Sequence, residues 1–275
     1  MPHKVLSIIT TDRAVHNIEQ RLSICLRSNG FSFSITAQGN LLLTFGEVEM
    51  DMSAPLSGMM QSMREFISEQ LISPLDFASM RLIVPTDDYA WMPEHLYDAT
   101  LDRQYLKMVT SPNIGLGVYH IFCPQMKAYM VFSAPADVVT AFKVTLPGID
   151  CHCQHSALVS HAMLQRSAQH PMALLHVRGE VADIEAFSHG RLILSKSFAA
   201  HSDNEILYNA LDIMKVFNLE APEMELAICG NVGREIFALM QRYFPNVSLY
   251  CGEMSTADTD QFKTFPTYQH ALLLS

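Results

Sequence analysis

The chain has 275 residues, enough for one large domain or for two smaller ones that share a cleft. Eighteen basic residues against twenty-eight acidic ones leave a formal charge of −10, which repels a phosphate backbone, and no Lys/Arg cluster reverses this locally, so nucleic acid is excluded as a general partner. With 49% hydrophobic and 17% charged residues the chain can fold nearly end to end, yet its longest apolar runs, Val5 to Ile9 and Ala271 to Leu274, fall far short of the ~20 residues a membrane span needs.

From the N-terminus, Val5 to Ile9 is also too short for a secretory signal and no small-residue cleavage site follows, which points to the cytoplasm. Leu22, Ile24 and Leu26 alternate with polar positions, and Phe31, Phe33 and Ile35 alternate again after an Asn29-Gly30 turn, a hairpin signature. Met59, Met63, Phe66, Ile67 and Leu71 recur at helical period, with Pro74 as the stop. Leu101 to Val109 reads as a helix, and Val118 to Phe122 and Ala128 to Phe132 as strands. Beyond them come strands at Leu174 to Val177, Val181 to Phe187 and Leu192 to Leu194. Ser202-Asp-Asn-Glu205 then has the spacing of a capping box ahead of a helix marked by Ile206, Leu207, Ala210, Leu211, Met214 and Phe217. The six cysteines sit mostly in strand-like apolar runs and read as buried thiols, not disulfide partners.

The chain repeats itself. Arg27 to Leu43 aligns without gaps on Arg178 to Leu194, and Phe142 to Cys153 on Met240 to Cys251, each pair with the same element order. The offset is 151 residues at the first match and 98 at the second, so the first copy holds 151 − 98 = 53 extra residues. Two β-β-β-α-β-α-β copies are expected, residues 1–168 and 169–275, with an insertion of about 50 residues at 85–128 in the first.

This duplicated order resembles the ribonuclease-H-like core of the actin, sugar kinase and Hsp70 superfamily. More specifically, Leu22-Ser-Ile, Gly30-Phe-Ser-Phe-Ser-Ile35, Val84-Pro, Trp91-Met-Pro-Glu-His-Leu-Tyr-Asp98 and Pro266-Thr-Tyr-Gln-His-Ala-Leu-Leu-Leu274 are similar to a bacterial family, domain of unknown function family 3822. That family brings no established activity. The resemblance implies an actin-like fold, related to pilus- and secretion-assembly members that serve as cytoplasmic scaffolds, and it directs attention to the phosphate-facing turns of that superfamily.

On that expectation Asn29 and Gly30 mark one turn and Arg178 and Gly179 the other, while Gly230, Asn231 and Gly233 form a strand-turn-helix connection suited to an adenosine or an anion, as in ATP with magnesium. A plain tight turn accounts for the same glycines. The superfamily's metal-anchoring Asp on the opening strand is replaced here by Ser23, Ile24 and Cys25, leaving Asp183 or Glu180 as a displaced acid. Cys151, Cys153 and His155 are weak zinc candidates, since no second ligand couple stands at zinc-site spacing and Cys-x-Cys on a strand reads as core. Asp87-Asp88 reads as a solvated loop or a cation site. Trp91, Met92 and Tyr97 in the insertion form a candidate partner-binding patch, against which stands ordinary aromatic packing. The expected function is a non-catalytic cytoplasmic scaffold with a degenerate nucleotide cleft and a protein partner. The alternative is a nucleotide-dependent ATPase or small-molecule kinase, and a zinc-binding protein is a lesser one.

Overall fold

Alternation of large apolar residues with serines builds the first sheet in the computed structural model, which describes residues 3–10 (backbone only), 19–38, 41–70, 77–111, 115–164, 171–216, 224–252 and 266–274. Gln20–Arg27 (β2) and Gly30–Ala37 (β3) form a hairpin in which Arg27 pairs with Gly30, so Ser28 and Asn29 are its loop residues. Leu22, Ile24, Phe31 and Phe33 enter the core from one face, and Ser23, Ser32 and Ser34 lie on the other. Leu41–Met50 (β4) completes the antiparallel triple, and His3–Thr10 (β1) pairs along its outer edge, a strand that Val5 to Ile9 did not announce. The helix Leu56–Gln70 (α1) follows; Phe77–Val84 (β5) then lies parallel to β2. Phe31 meets Phe66 of α1 and Phe142 edge-on, with centroids 5.1 and 5.6 Å apart.

Next comes the insertion: Tyr89–Pro93 (β6), Asp102–Val109 (α2), Leu116–Cys123 (β7) and Ala128–Pro135 (β8), a three-stranded sheet of order β6-β8-β7. Ala136–Thr145 (α3), Asp150–Cys153 (β9) and Gln154–Leu164 (α4) return to the first copy, with β9 parallel to β5.

The second copy runs Met172–Arg178 (β10), Val181–Ser188 (β11), Arg191–Ala199 (β12), Asp203–Val216 (α5), Glu225–Gly230 (β13), Arg234–Gln241 (α6) and Asn246–Leu249 (β14). The capping box is made: Glu205 N donates to Ser202 Oγ at 3.2 Å and the Glu205 carboxylate accepts from His201 N at 3.0 Å. Sheet order β12-β11-β10-β13-β14 repeats β4-β3-β2-β5-β9. Both expected β-β-β-α-β-α-β copies are therefore present. Leu82 and Ile228 hold equivalent register positions, as do Asp150 and Ser248, so between these strands the first copy spans 68 residues against 20. Of the expected stop signals and core positions, Leu71, Pro74 and Phe217 lie outside the described residues.

The described residues fall into two compact units, one within Met1–Ser156 with Leu272–Leu274, the other within Ala157–Gly252 with Pro266–Ala271. In the second, Leu175, Ile184, Ile206, Ala210, Ile228, Ile236 and Phe244 form the core. Among the described residues no helix is long and apolar enough to cross a membrane.

Candidate functional site

In each sheet the chain departs in opposite directions from one central parallel pair, β2 with β5 and β10 with β13. Ligands of open α/β sheets bind outside the carboxyl ends of strands at such a switch point. Arg27-Ser28-Asn29-Gly30 and Val84-Pro85-Thr86 stand there in the first unit, Arg178-Gly179-Glu180 and Gly230-Asn231-Val232-Gly233 in the second. The topology thus brings Arg178, Gly179, Gly230, Asn231 and Gly233 to one end of the second sheet, and Asn29 with Gly30 to the matching end of the first.

The four glycines divide by what surrounds them. At Gly30, with φ +147°, an added Cβ would lie 2.0 Å from Val48 O; at Gly230, with φ +87°, 2.2 Å from Val177 O. These two are glycine because a neighbouring strand's backbone fills the space, and Asn231 N goes on to donate to Val177 O at 2.7 Å. Gly179 has φ +60° at the first loop position of its hairpin, as a type II′ turn requires, and nothing lies within 4 Å of its missing Cβ. Gly233, the residue before α6, is equally open and caps that helix with no side chain.

The polar face beside each hairpin carries an arginine, an acid and a serine. In the second unit Asp183 is fully buried; its Oδ2 accepts from Arg178 Nε at 2.8 Å and His176 Nδ1 at 3.1 Å, its Oδ1 from Ser197 Oγ at 2.7 Å and Arg178 Nη2 at 3.2 Å. In the first unit Arg27 Nη1 donates to Glu47 Oε1 and, at 3.4 Å, to Ser32 Oγ. Arg178 and Asp183, singled out from the sequence as nucleotide-facing residue and displaced acid, are thus bonded to each other. Glu180 is well exposed, with His201 4.0 Å away. Sequence reasoning missed His176, Ser197 and Glu47. The one signal available was that Arg27 and Arg178 begin the aligned segments.

Among the described residues no group of three or more His, Cys, Asp and Glu is placed to hold a metal. Cys151 and Cys153 both enter the first unit's core; burial pushes the Cys151 thiol up to about 12 and Cys153 higher. Both are neutral thiols, while zinc takes thiolates. His155 packs on Tyr89, ring centroids 3.9 Å apart. Asp87 is exposed in its loop, whereas Asp88 is half-buried and its carboxylate accepts from Ser133 Oγ at 3.1 Å and from Thr110 Oγ1. Beside it, Thr86 and Gln154 exchange two hydrogen bonds of 2.7 and 2.9 Å.

Strand alternation separates the three insertion candidates. Trp91 packs against the first unit's main core, whereas Met92 and Tyr97 join a second cluster around Tyr105, Leu106 and Val131. There Tyr97 stacks on Tyr129 at 3.7 Å and donates to Asp102 Oδ1 at 2.9 Å, while His120 Nδ1 lies 2.7 Å from Asp102 Oδ2. Burial first, and the Asp102 carboxylate second, push the Tyr97 phenol well above its ordinary range. Leu96, Met108 and Val109 of the insertion stay exposed.

Known structures share this architecture. A Bacteroides thetaiotaomicron protein with actin-like ATPase fold and unknown function superposes with TM-score 0.71 at 18% identity, covering 94% of this chain and 96% of that one. The PilM-PilN type IV pilus biogenesis complex gives 0.55 at 10% identity, 92% and 96% covered. Ethanolamine utilization protein EutJ from Carboxydothermus hydrogenoformans gives 0.50 at 8% identity, 97% and 93% covered. The fold is the actin-like, duplicated ribonuclease-H-like one. No curated protein sequence matches the chain. Residues 11–247 do match the family described as Protein of unknown function (DUF3822), which spans both hairpins, the insertion and the Gly230 turn, and the chain belongs to that family.

Proposed function

We propose that the protein is a non-catalytic actin-like scaffold of the cytoplasm that binds a protein partner through its insertion and does not bind nucleic acid. The observation carrying this reading is Asp183: of the two candidate acids at the second hairpin, it has both oxygens engaged by Arg178, His176 and Ser197 and no exposed surface. An active phosphotransferase of this fold needs a carboxylate available to magnesium beside its phosphate-cradling turns. Asp183 does not fit that requirement, because withdrawing it would strand the buried His176 and the half-buried Arg178, which leaves the exposed Glu180 to the nucleotide-dependent reading. Exposed Met108 and Val109, adjacent at the end of α2, together with exposed Leu96 support the insertion as the partner surface, since grouped apolar side chains in water mark contact regions. The pilus-biogenesis relative is itself described as a complex of two proteins.

One observation favours a second reading, a nucleotide-dependent ATPase or small-molecule kinase. Gly179 and Gly233 stand at the switch point of the second sheet with open space beside them, which leaves their backbone amides approachable by an anion. Thermal unfolding with and without millimolar Mg-ATP decides between the two, because a ligand at 100 times its dissociation constant stabilises by ~2.7 kcal/mol. The scaffold reading expects no shift with ATP, ADP or GTP. A clear rise in midpoint would replace it with the nucleotide-dependent one.

A further inference from the structure

On the polar face of the first unit's sheet, two side chains, Arg81 and Ser34, reach for the main chain of a distant segment. Arg81 Nε donates to Ser23 Oγ at 2.8 Å, and its Nη2 to Leu273 O at 3.3 Å and Leu272 O at 3.4 Å. Ser34 Oγ donates to the same Leu273 O at 2.9 Å, across 239 residues of sequence. Ser34 and Phe45 are cross-strand partners, as are Thr36 and Leu42, so Leu42 and Phe45 share this face and form an apolar cluster with Leu273 and Leu274. The donors read consecutive carbonyls, which any sequence offers, and the apolar pair adds a requirement for two adjacent leucine-like side chains.

We infer that Ser23, Ser34, Arg81, Leu42 and Phe45 form a binding site for a short leucine-rich peptide segment, and that Leu272–Leu274 is its occupant in cis, closing it to a partner's segment of the same chemistry. This rests on the scaffold reading and names a second place where such a protein takes its partner. Two features make the occupant exchangeable. Among the described residues Leu272–Leu274 joins no strand ladder, and the Arg81 and Ser34 side chains reach its carbonyls from the sheet. Short segments held this way open locally at far lower cost than sheet strands. Desolvation meanwhile holds the Arg81 guanidinium down to about 10, a cation whose donors must remain covered by acceptors, so whatever displaces the tail must present carbonyls in its place.

The test uses a chain ending after Ala271 and a fluorescent peptide of residues Gln269 to Ser275. The peptide should bind the shortened chain and bind the full chain about tenfold or more weakly, because the tethered tail holds the site at high effective concentration. Arg81→Met or Ser34→Ala in the shortened chain should weaken the peptide severalfold. Equal affinity for both chains, or no binding to a shortened chain that still unfolds cooperatively, overturns the proposal. Should the shortened chain fail to fold, hydrogen exchange on the full chain decides: the Leu272 to Leu274 amides should exchange about a hundredfold faster than Phe33, and exchange only at the rate of global unfolding would make the tail a fixed part of the core. Failure here leaves the scaffold reading intact, since nucleotide-dependent unfolding tests that separately.

Discussion

The two copies place an arginine at the end of the opening strand and then exchange its partners. In the first, Ser32 on β3 stands opposite Glu47 on β4; in the second, Asp183 on β11 stands opposite Ser197 on β12. The cross-strand pair is an acid and a hydroxyl both times, with the acid moved from the edge-side strand to the inner one. Its surroundings change accordingly, from 25% exposed at Glu47 to 0% at Asp183. Position along the repeat therefore preserves the trio as a unit while no single acidic position is shared. The difference also converts a solvated ion pair, worth little, into a buried one whose members depend on each other.

The strongest way to break this comparison is to remove both acids. Asp183→Ala should cost about 3 kcal/mol or more, because it leaves the Arg178 guanidinium, the His176 ring and the Ser197 hydroxyl without their shared acceptor. Glu47→Ala should stay within about 1 kcal/mol, as exposed pairs do. Urea unfolding of each variant gives the two numbers. Equal losses would mean that the exchange of positions has no energetic content.

A second test sharpens the contrast between the packed and open glycines. Gly230→Ala puts a methyl group against Val177 O and the His176 ring at a positive φ, and about 2–3 kcal/mol of stability should go with it. Gly179→Ala meets nothing and should show only the left-handed backbone cost, about 1 kcal/mol. A substitution at Gly230 accordingly reads strand pairing before it reads any ligand. Gly179 and Gly233 are the positions where a bulky side chain tests anion binding cleanly, by loss of a Mg-ATP shift if one exists.

Much of the fold was legible because burial on both copies enforces period. Phe31 and Phe33 had to alternate with serines for β3 to carry one apolar face, and Ser202 with Glu205 announced α5 through chemistry confined to one helical turn. Less was legible at the site. Glu47 and Ser197 meet their arginines only through strand register, which a bulge beside each pair shifts by one residue, so no fixed spacing records them. Trp91 and Met92 are neighbours in sequence, and the same alternation that built the hairpins sent them to opposite faces of β6. Arg81 was invisible for a further reason: its partners are carbonyls, and any residue supplies one.

The smallest expected difference between the copies is one of pH. His152 on β9 occupies the place that Tyr250 takes in the second copy, and burial, followed by the nearby Arg81 charge, holds its pKa down to about 4 from an ordinary 6.5. Below 6.5 the unfolded chain takes up a proton on this ring that the folded chain refuses until about 4, so the folded state loses stability as pH falls through that window and keeps it above. Because the ring is not wholly enclosed, the loss should be about 1–2 kcal/mol, less than the full shift would give. His152→Gln removes the proton site while keeping a polar side chain beside Arg81 and Asp150. Its unfolding midpoint should therefore fall by a few degrees less than the parent's between pH 7 and pH 4.5. A variant that loses as much as the parent would assign the acid sensitivity to carboxylates elsewhere and remove this distinction between the two copies.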